Sequence, residues 1–338
     1  MMKGLRNFVR AIYKLGGIKL ISTTPIAVTS RSFSRHPILR EELTAKYDIV
    51  RFNDEGLSLE GAELIHYLEG AERAIIALER IDGGVLEKLP QLKVISKYGV
   101  GVDMLDLPAM VEHNVRLGWT GGVNRRSVSE LVIAYSISLL RQIPMLNAEV
   151  RSGTWRQTVG RQISDQCFGI IGCGYVGQDL SRLLRAFGCR VLAYDILDFP
   201  EFYTTTGVEP VDLDTLLRTS DIVSVHLPLD HLTHNFLSAK NLSLMQSHAI
   251  LINAARGGLV DEETVKSMLL DGRLAAAAFD VLQSEPPEDL ELINLPNVLT
   301  TPHIGGSAEE AILNMGRAAI AGLEDASIPQ PGTKYWPA

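Results

Sequence analysis

The stretch CFGIIGCGYVGQDLSRLLRAF, residues 167–187, followed by RVLAYD at 190–195, decides how the chain is read. An apolar run of strand type leads into Gly172, Gly174 and Gly177, and these open directly onto a segment whose leucines recur at helical spacing. Glycines so spaced permit a tight turn, close approach of backbone to a pyrophosphate, and close packing of helix on strand. The helix start adds unpaired N–H groups and a positive dipole end. Alone, such a motif is no more than a glycine-rich turn. Here the next apolar run ends in Asp195, eighteen residues beyond Gly177, where a carboxylate accepts bonds from both hydroxyls of an adenosine ribose. That carboxylate repels the extra phosphate of NADP, and ILDFPEF, just after RVLAYD, holds no Arg or Lys to pair it. NAD is the expected cofactor.

Outward from this core the rhythm repeats. RVLAY, DIVSVHL, AILINA, AAAAFDV and NVLTT follow CFGII, each separated by an amphipathic segment, so six strands are expected in this half. Upstream, IAVTSRSF, DIVRF, RAIIAL, LKVISKYG and VRLGW make a second α/β stretch of about five strands. Between them an apolar helix is expected from about Arg126 to Arg141, with Asn124 of the right type for its N-cap. The segment after Gly306 is helical by period.

With 338 residues, 46% apolar and 21% charged, the chain has the composition of a globular protein of about two domains. Its net charge of −8 argues against nucleic-acid partners. Three cysteines, Cys167, Cys173 and Cys189, show neither CxxC nor His pairing at zinc spacing, so neither disulfides nor a metal site is expected and a reducing cytoplasm fits. No apolar run reaches membrane-spanning length. Residues 1–40 carry eight cations and no acid, a composition shared with transit peptides but read here first as a basic arm or helix before the first strand.

In an open α/β sheet, ligands bind beyond the carboxyl ends of the strands. Arg256 follows AILINA, Glu285 follows AAAAFDV, and His303 follows NVLTT. Reduction of a 2-keto acid needs a cation to hold the carboxylate and polarise the carbonyl, and an acid to protonate the oxygen. Arg offers a planar fork for the first task, His suits the second, and a neighbouring Glu favours the imidazolium and fixes the ring. Singly, each is also readable as an ordinary loop residue.

Together with KYGVGVD at 97–103, HLPL at 226–229, NAARGGLVDE at 253–262, FDVLQSEPP at 279–287 and TPHIGG at 301–306, these features resemble the successive signatures of the D-2-hydroxyacid dehydrogenase family. The similarity spans about residues 26–325. It implies two doubly wound parallel-sheet domains: a Rossmann NAD domain at 120–306, inserted into a flavodoxin-like substrate domain formed by 1–119 and 307–338. By the resemblance, Arg256 binds substrate, His303 is the acid/base and Glu285 its partner. Gly99, Val100 and Gly101 meet the substrate carboxylate. Tyr175, Val176, Pro228, Ala254, Arg256, Asp280, His303 and Gly305 join Gly172, Gly174, Gly177 and Asp195 around the cofactor. Met104 stands where Asn is common in the family, and Gly121 where Pro is usual. Glu285 departs from formate dehydrogenases, which carry Gln there.

Within the family the sequence is nearest in feel to phosphoglycerate dehydrogenases, through ISKYGVGVD and GVNRRSVSE. Glyoxylate and hydroxypyruvate reductases are alternatives, as is a dinucleotide-sensing, corepressor-like interaction protein. The chain ends before the regulatory domain of long phosphoglycerate dehydrogenases, so serine feedback through one is not expected. Lys97 is either a solvated strand-end charge or the partner of a second anionic group on the substrate. The apolar material between Arg126 and Gly160, and the resemblance, imply a homodimer.

Overall fold

The computed structural model describes residues 22–288 and 290–333; the basic segment 1–20, whose role the sequence leaves open, lies outside them. The chain divides into two compact units, Met1–Thr120 with Met315–Ala338, and Gly121–Asn314.

The first unit holds a five-stranded parallel sheet in the order β2-β1-β3-β4-β5. Its strands are β1 (Ile26–Val28), β2 (Val50–Phe52), β3 (Arg73–Ile76), β4 (Val94–Lys97) and β5 (Arg116–Gly118). This is the flavodoxin-like order. Strands β1 and β4 are buried at every residue, as expected where helices cover both faces of a parallel sheet. The stretch IAVTSRSF is not strand throughout. β1 stops at Val28, and Arg31–Arg35 forms a short helix because the Ser30 side chain accepts a hydrogen bond from Phe33 N. The end of the chain returns to this sheet: the Ser96 hydroxyl donates to Ala319 O at 2.6 Å, and Arg73 pairs with Glu324 at 2.6 Å.

The second unit carries a seven-stranded parallel sheet in the order β12-β11-β10-β9-β6-β7-β8. The strands are β6 (Cys167–Ile171), β7 (Arg190–Tyr194), β8 (Glu209–Pro210), β9 (Ile222–Val225), β10 (Ile250–Asn253), β11 (Ala276–Phe279) and β12 (Val298–Thr300). Counted from β6, this is the Rossmann order 3-2-1-4-5-6 with one strand added beyond β11. The seventh strand was not expected, because β8 is two exposed residues ending in proline and has no apolar run to announce it. Aspartates mark several helix starts: Asp212 and Asp261 accept from Thr215 N and Thr264 N. The long helix Arg125–Leu140 lies where expected, but Asn124 does not cap it with its side chain, and its Oδ1 is buried without a partner.

The second border falls within the helix Glu309–Gly322, later than the expected Gly306. Asn314 lines a cavity of about 520 Å³ with Gly122, Val123, Arg125, Arg126 and Asp179, so the first turns of that helix belong with the second unit. Among the described residues, no single helix is long and apolar enough to cross a membrane.

Candidate active site

Because all seven strands of the second unit are parallel, their carboxyl ends share one edge, and every sequence-marked residue of this unit follows such an end. At the centre, β6 turns through Gly172 into the helix Tyr175–Ala186. Gly172 has φ +95°, and a Cβ there would lie 2.7 Å from His226 O; a Cβ on Gly177 would lie 2.1 Å from Gly172 O. Only glycine allows this turn. A Cβ on Gly174, by contrast, would meet nothing within 4 Å, which leaves open the approach to the helix N-terminus that a pyrophosphate requires. Asp195 lies beyond β7 and accepts from Cys173 N at 2.6 Å and Leu197 N at 2.8 Å. The cradle therefore fits a dinucleotide. Beyond β9, Nε2 of His226 lies 2.9 Å from the Ser224 hydroxyl, and burial pushes the imidazole down to about 4, so it is neutral at pH 7.

On the other side of the switch point, β10, β11 and β12 are paired in register at Asn253, Phe279 and Thr300. The loops beyond these three residues carry Arg256, Glu285 and His303. Asn253 is fully buried and shapes the first loop: its side-chain amide donates to Arg256 O at 2.8 Å and its Oδ1 accepts from Ala255 N at 3.2 Å. Arg256 itself donates to Ala255 O at 2.7 Å. In the third loop, His303 adopts φ +54°, a left-handed conformation costly for a non-glycine residue. Asp280 holds it there. The Asp280 carboxylate, 2% exposed, accepts from Ile304 N at 2.7 Å and Gly305 N at 2.6 Å, and its backbone O accepts from His303 N at 2.8 Å. His303 Nδ1 then lies 2.9 Å from Glu285 Oε2, with both side chains partly exposed. A ring held at Nδ1 by a carboxylate has Nε2 left to exchange a proton with a ligand.

Of the sequence-marked cofactor residues, Tyr175 and Val176 begin the helix after the glycine turn, Pro228 follows His226, Ala254 follows β10, and Gly305 is bound to Asp280. The sequence reading missed Asn253, and also Tyr135 and Thr301, whose hydroxyls reach the Asp280 carboxylate. Tyr135 stands in an apolar helix and reads there as core.

In the first unit, Gly99, Val100 and Gly101 follow β4, with Gly99 at φ +120°. Lys97, the last residue of β4, is not a solvated charge. It is 4% exposed and its ammonium donates to the backbone carbonyls of Ala77 and Tyr98.

Residues 133–305 match the family model described as D-isomer specific 2-hydroxyacid dehydrogenase, NAD binding domain. The chain belongs to this family. It is 35% identical over 253 residues to a D-3-phosphoglycerate dehydrogenase of Methanocaldococcus jannaschii, covering 74% of this chain and 48% of that one. It is 33% identical to a glyoxylate reductase of Thermococcus litoralis, covering 82% and 86%. The chain thus spans about half the length of the phosphoglycerate dehydrogenases it matches, and most of the glyoxylate reductase. Among solved structures, the pyruvate reductase of Chlamydomonas reinhardtii is similar at a TM-score of 0.79 and 26% identity, covering 92% of this chain and 99% of that one. The glycine turn, Asp195 and the loops beyond β10, β11 and β12 all lie within the residues that match the NAD-binding model.

Proposed function

We propose that this dehydrogenase-family member interconverts a D-2-hydroxy acid and its 2-keto acid, with NAD as oxidant or NADH as reductant. Bound NADH supplies the hydride. Arg256 holds the substrate carboxylate and polarises the adjacent carbonyl, His303 gives a proton through Nε2 to the carbonyl oxygen, and Glu285 keeps the ring oriented. In oxidation the same nitrogen receives the hydroxyl proton. The observation that carries this reading is the 2.9 Å contact between His303 Nδ1 and Glu285 Oε2 on the strand edge that also carries Arg256.

The decisive experiment is stoichiometric NADH oxidation with a panel of glyoxylate, hydroxypyruvate, phosphohydroxypyruvate and pyruvate. Turnover of any of them supports the reaction class, and their ranking separates a phosphoglycerate dehydrogenase from a reductase of smaller acids. No turnover of any of the four removes it.

Two further proposals concern the setting. A homodimer is supported by the segment after the long helix. The helix Ile143–Arg151 buries none of its residues, and Ile143, Val150, Trp155 and Val159 are 48%, 49%, 83% and 98% exposed. A cytoplasmic site is supported by the three cysteines, none of which is in a disulfide.

A further inference from the structure

The loop that carries Glu285 is tied to the loop that carries Arg256 at two points. A Cβ on Gly257 would lie 1.9 Å from Leu282 O, so the two backbones touch. Five residues further on, Glu262 accepts a hydrogen bond from Gln283 N at 2.7 Å through Oε1. Glu262 is the first residue of the helix Glu262–Leu270, whose start is already capped by Asp261. Its carboxylate is therefore not needed as a cap and is turned onto the neighbouring loop instead. From Gln283 the chain reaches the acid/base pair within two residues. Leu282 N donates to Glu285 Oε1 at 3.2 Å, and Glu285 Oε2 meets His303 Nδ1 at 2.9 Å.

We infer that Glu262 is a positioning residue for the proton-transfer pair: by holding the Gln283 amide it fixes the loop from which Glu285 reaches His303. This rests on the assignment of His303 and Glu285 proposed above. The alternative, a surface carboxylate at a helix start, does not account for its surroundings. Such a group gains from the helix dipole and stays in water. Glu262 is instead half-buried, and its pKa is raised, first by burial and then by the charges of Glu263 and Glu285, while the Gln283 amide acts in the opposite sense. Lys266, one turn along the helix, pairs with Glu263 and Glu291. The carboxylate is thus held beside two like charges while it accepts one backbone hydrogen bond, an arrangement that costs stability and orders the loop that carries Glu285.

The test uses the full-length protein and two substitutions. Glu262→Gln keeps an oxygen for the Gln283 amide and removes the charge; Glu262→Ala removes both. Hydrogen exchange of the peptide spanning 281–288 is measured without substrate, and kcat and KM for NADH and the best keto acid are measured alongside. The inference expects Glu262→Ala to raise exchange in that peptide and lower kcat by tenfold or more at nearly unchanged KM for NADH, with Glu262→Gln restoring both to within about threefold of the parent. It is overturned if exchange and kcat do not change together in Glu262→Ala, if neither changes, or if Glu262→Gln is as impaired as Glu262→Ala. Absence of activity in the parent would remove the proposed reaction but not the exchange result, which alone decides whether Glu262 holds the loop.

Discussion

The amide of Cys173, inside the glycine turn, donates to Asp195 Oδ2 at 2.6 Å. The acid at the end of β7 is therefore anchored to the glycine turn, and Leu197 N holds its other oxygen. A carboxylate fixed at both oxygens cannot swing aside for a 2′-phosphate.

For that reason kcat/KM is expected to favour NADH over NADPH by at least about tenfold, or roughly 1.4 kcal/mol. Asp195→Ser should narrow the gap by removing the charge. Equal use of both cofactors by the parent enzyme would remove the argument.

Substitutions in the three loops beyond β10, β11 and β12 should fail in different ways. His303→Ala should lower kcat by about two to four orders of magnitude, the usual worth of a placed general acid. Arg256→Ala should raise KM for the keto acid as well as lower kcat. Glu285→Gln removes the carboxylate that lies 2.9 Å from Nδ1 and orients the ring, so kcat should fall by about tenfold or more at nearly unchanged KM for NADH. An unchanged kcat would mean that the ring is held without it.

The apolar arm should bury itself against a second copy. Light scattering at micromolar concentration should give twice the 37.1 kDa chain mass, and Trp155→Glu should shift the population toward monomer, because Trp155 is 83% exposed in the single chain. A parent protein that scatters as a monomer would rule the dimer out.

His226 offers a pH test of stability. Its imidazole titrates near pH 4 when folded and near about 6.5 when unfolded, so the unfolded chain binds the extra proton first as the pH falls. Stability is thus complete above about pH 6.5 and is lost toward pH 4, by an amount on the order of 3 kcal/mol. His226→Gln should flatten the dependence of Tm on pH over this window. Parallel curves for parent and variant would show that the imidazole protonates without cost.

Much of the second unit was legible in its sequence because six of its seven parallel strands are written as apolar runs, and all of these but the edge strand β12 are largely buried. β8 escaped because two exposed residues leave no pattern. The strand-end rule pointed to Arg256, Glu285 and His303 because an ionisable residue just after an apolar run stands out. Glu262 and Tyr135 did not, since one looks like a helix-start acid and the other like core, and what distinguishes them is a bond to a distant loop. The fate of Lys97 was hidden for the same reason: whether a strand-end ammonium meets water or carbonyls depends on neighbouring strands.

Lys97 is open to two expectations, contact with a second anion on the substrate or support of the loop after β4. Its ammonium is buried at the end of β4 and donates to carbonyl oxygens of Ala77, just beyond β3, and of Tyr98. A Cβ on Gly99 would lie 3.3 Å from its Nζ, so the side chain runs directly beneath the loop Gly99–Gly101 that the family resemblance assigns to the substrate carboxylate. Two roles are separable by substrate. A lysine that binds a phosphate or phosphonate directly should, as Lys97→Ala, raise KM for phosphohydroxypyruvate by more than about tenfold and leave glyoxylate reduction nearly unchanged. A lysine that ties β3 to β4 and supports the Gly99 loop should cost both substrates equally and lower Tm, because removing a buried donor strands the carbonyls it served at about 1–3 kcal/mol each. The burial and the carbonyl bonds favour the second outcome. Lys97→Met, which keeps the stem but not the donor, should then be as impaired with glyoxylate as with phosphohydroxypyruvate, and selective loss of the phosphorylated substrate would reverse the assignment.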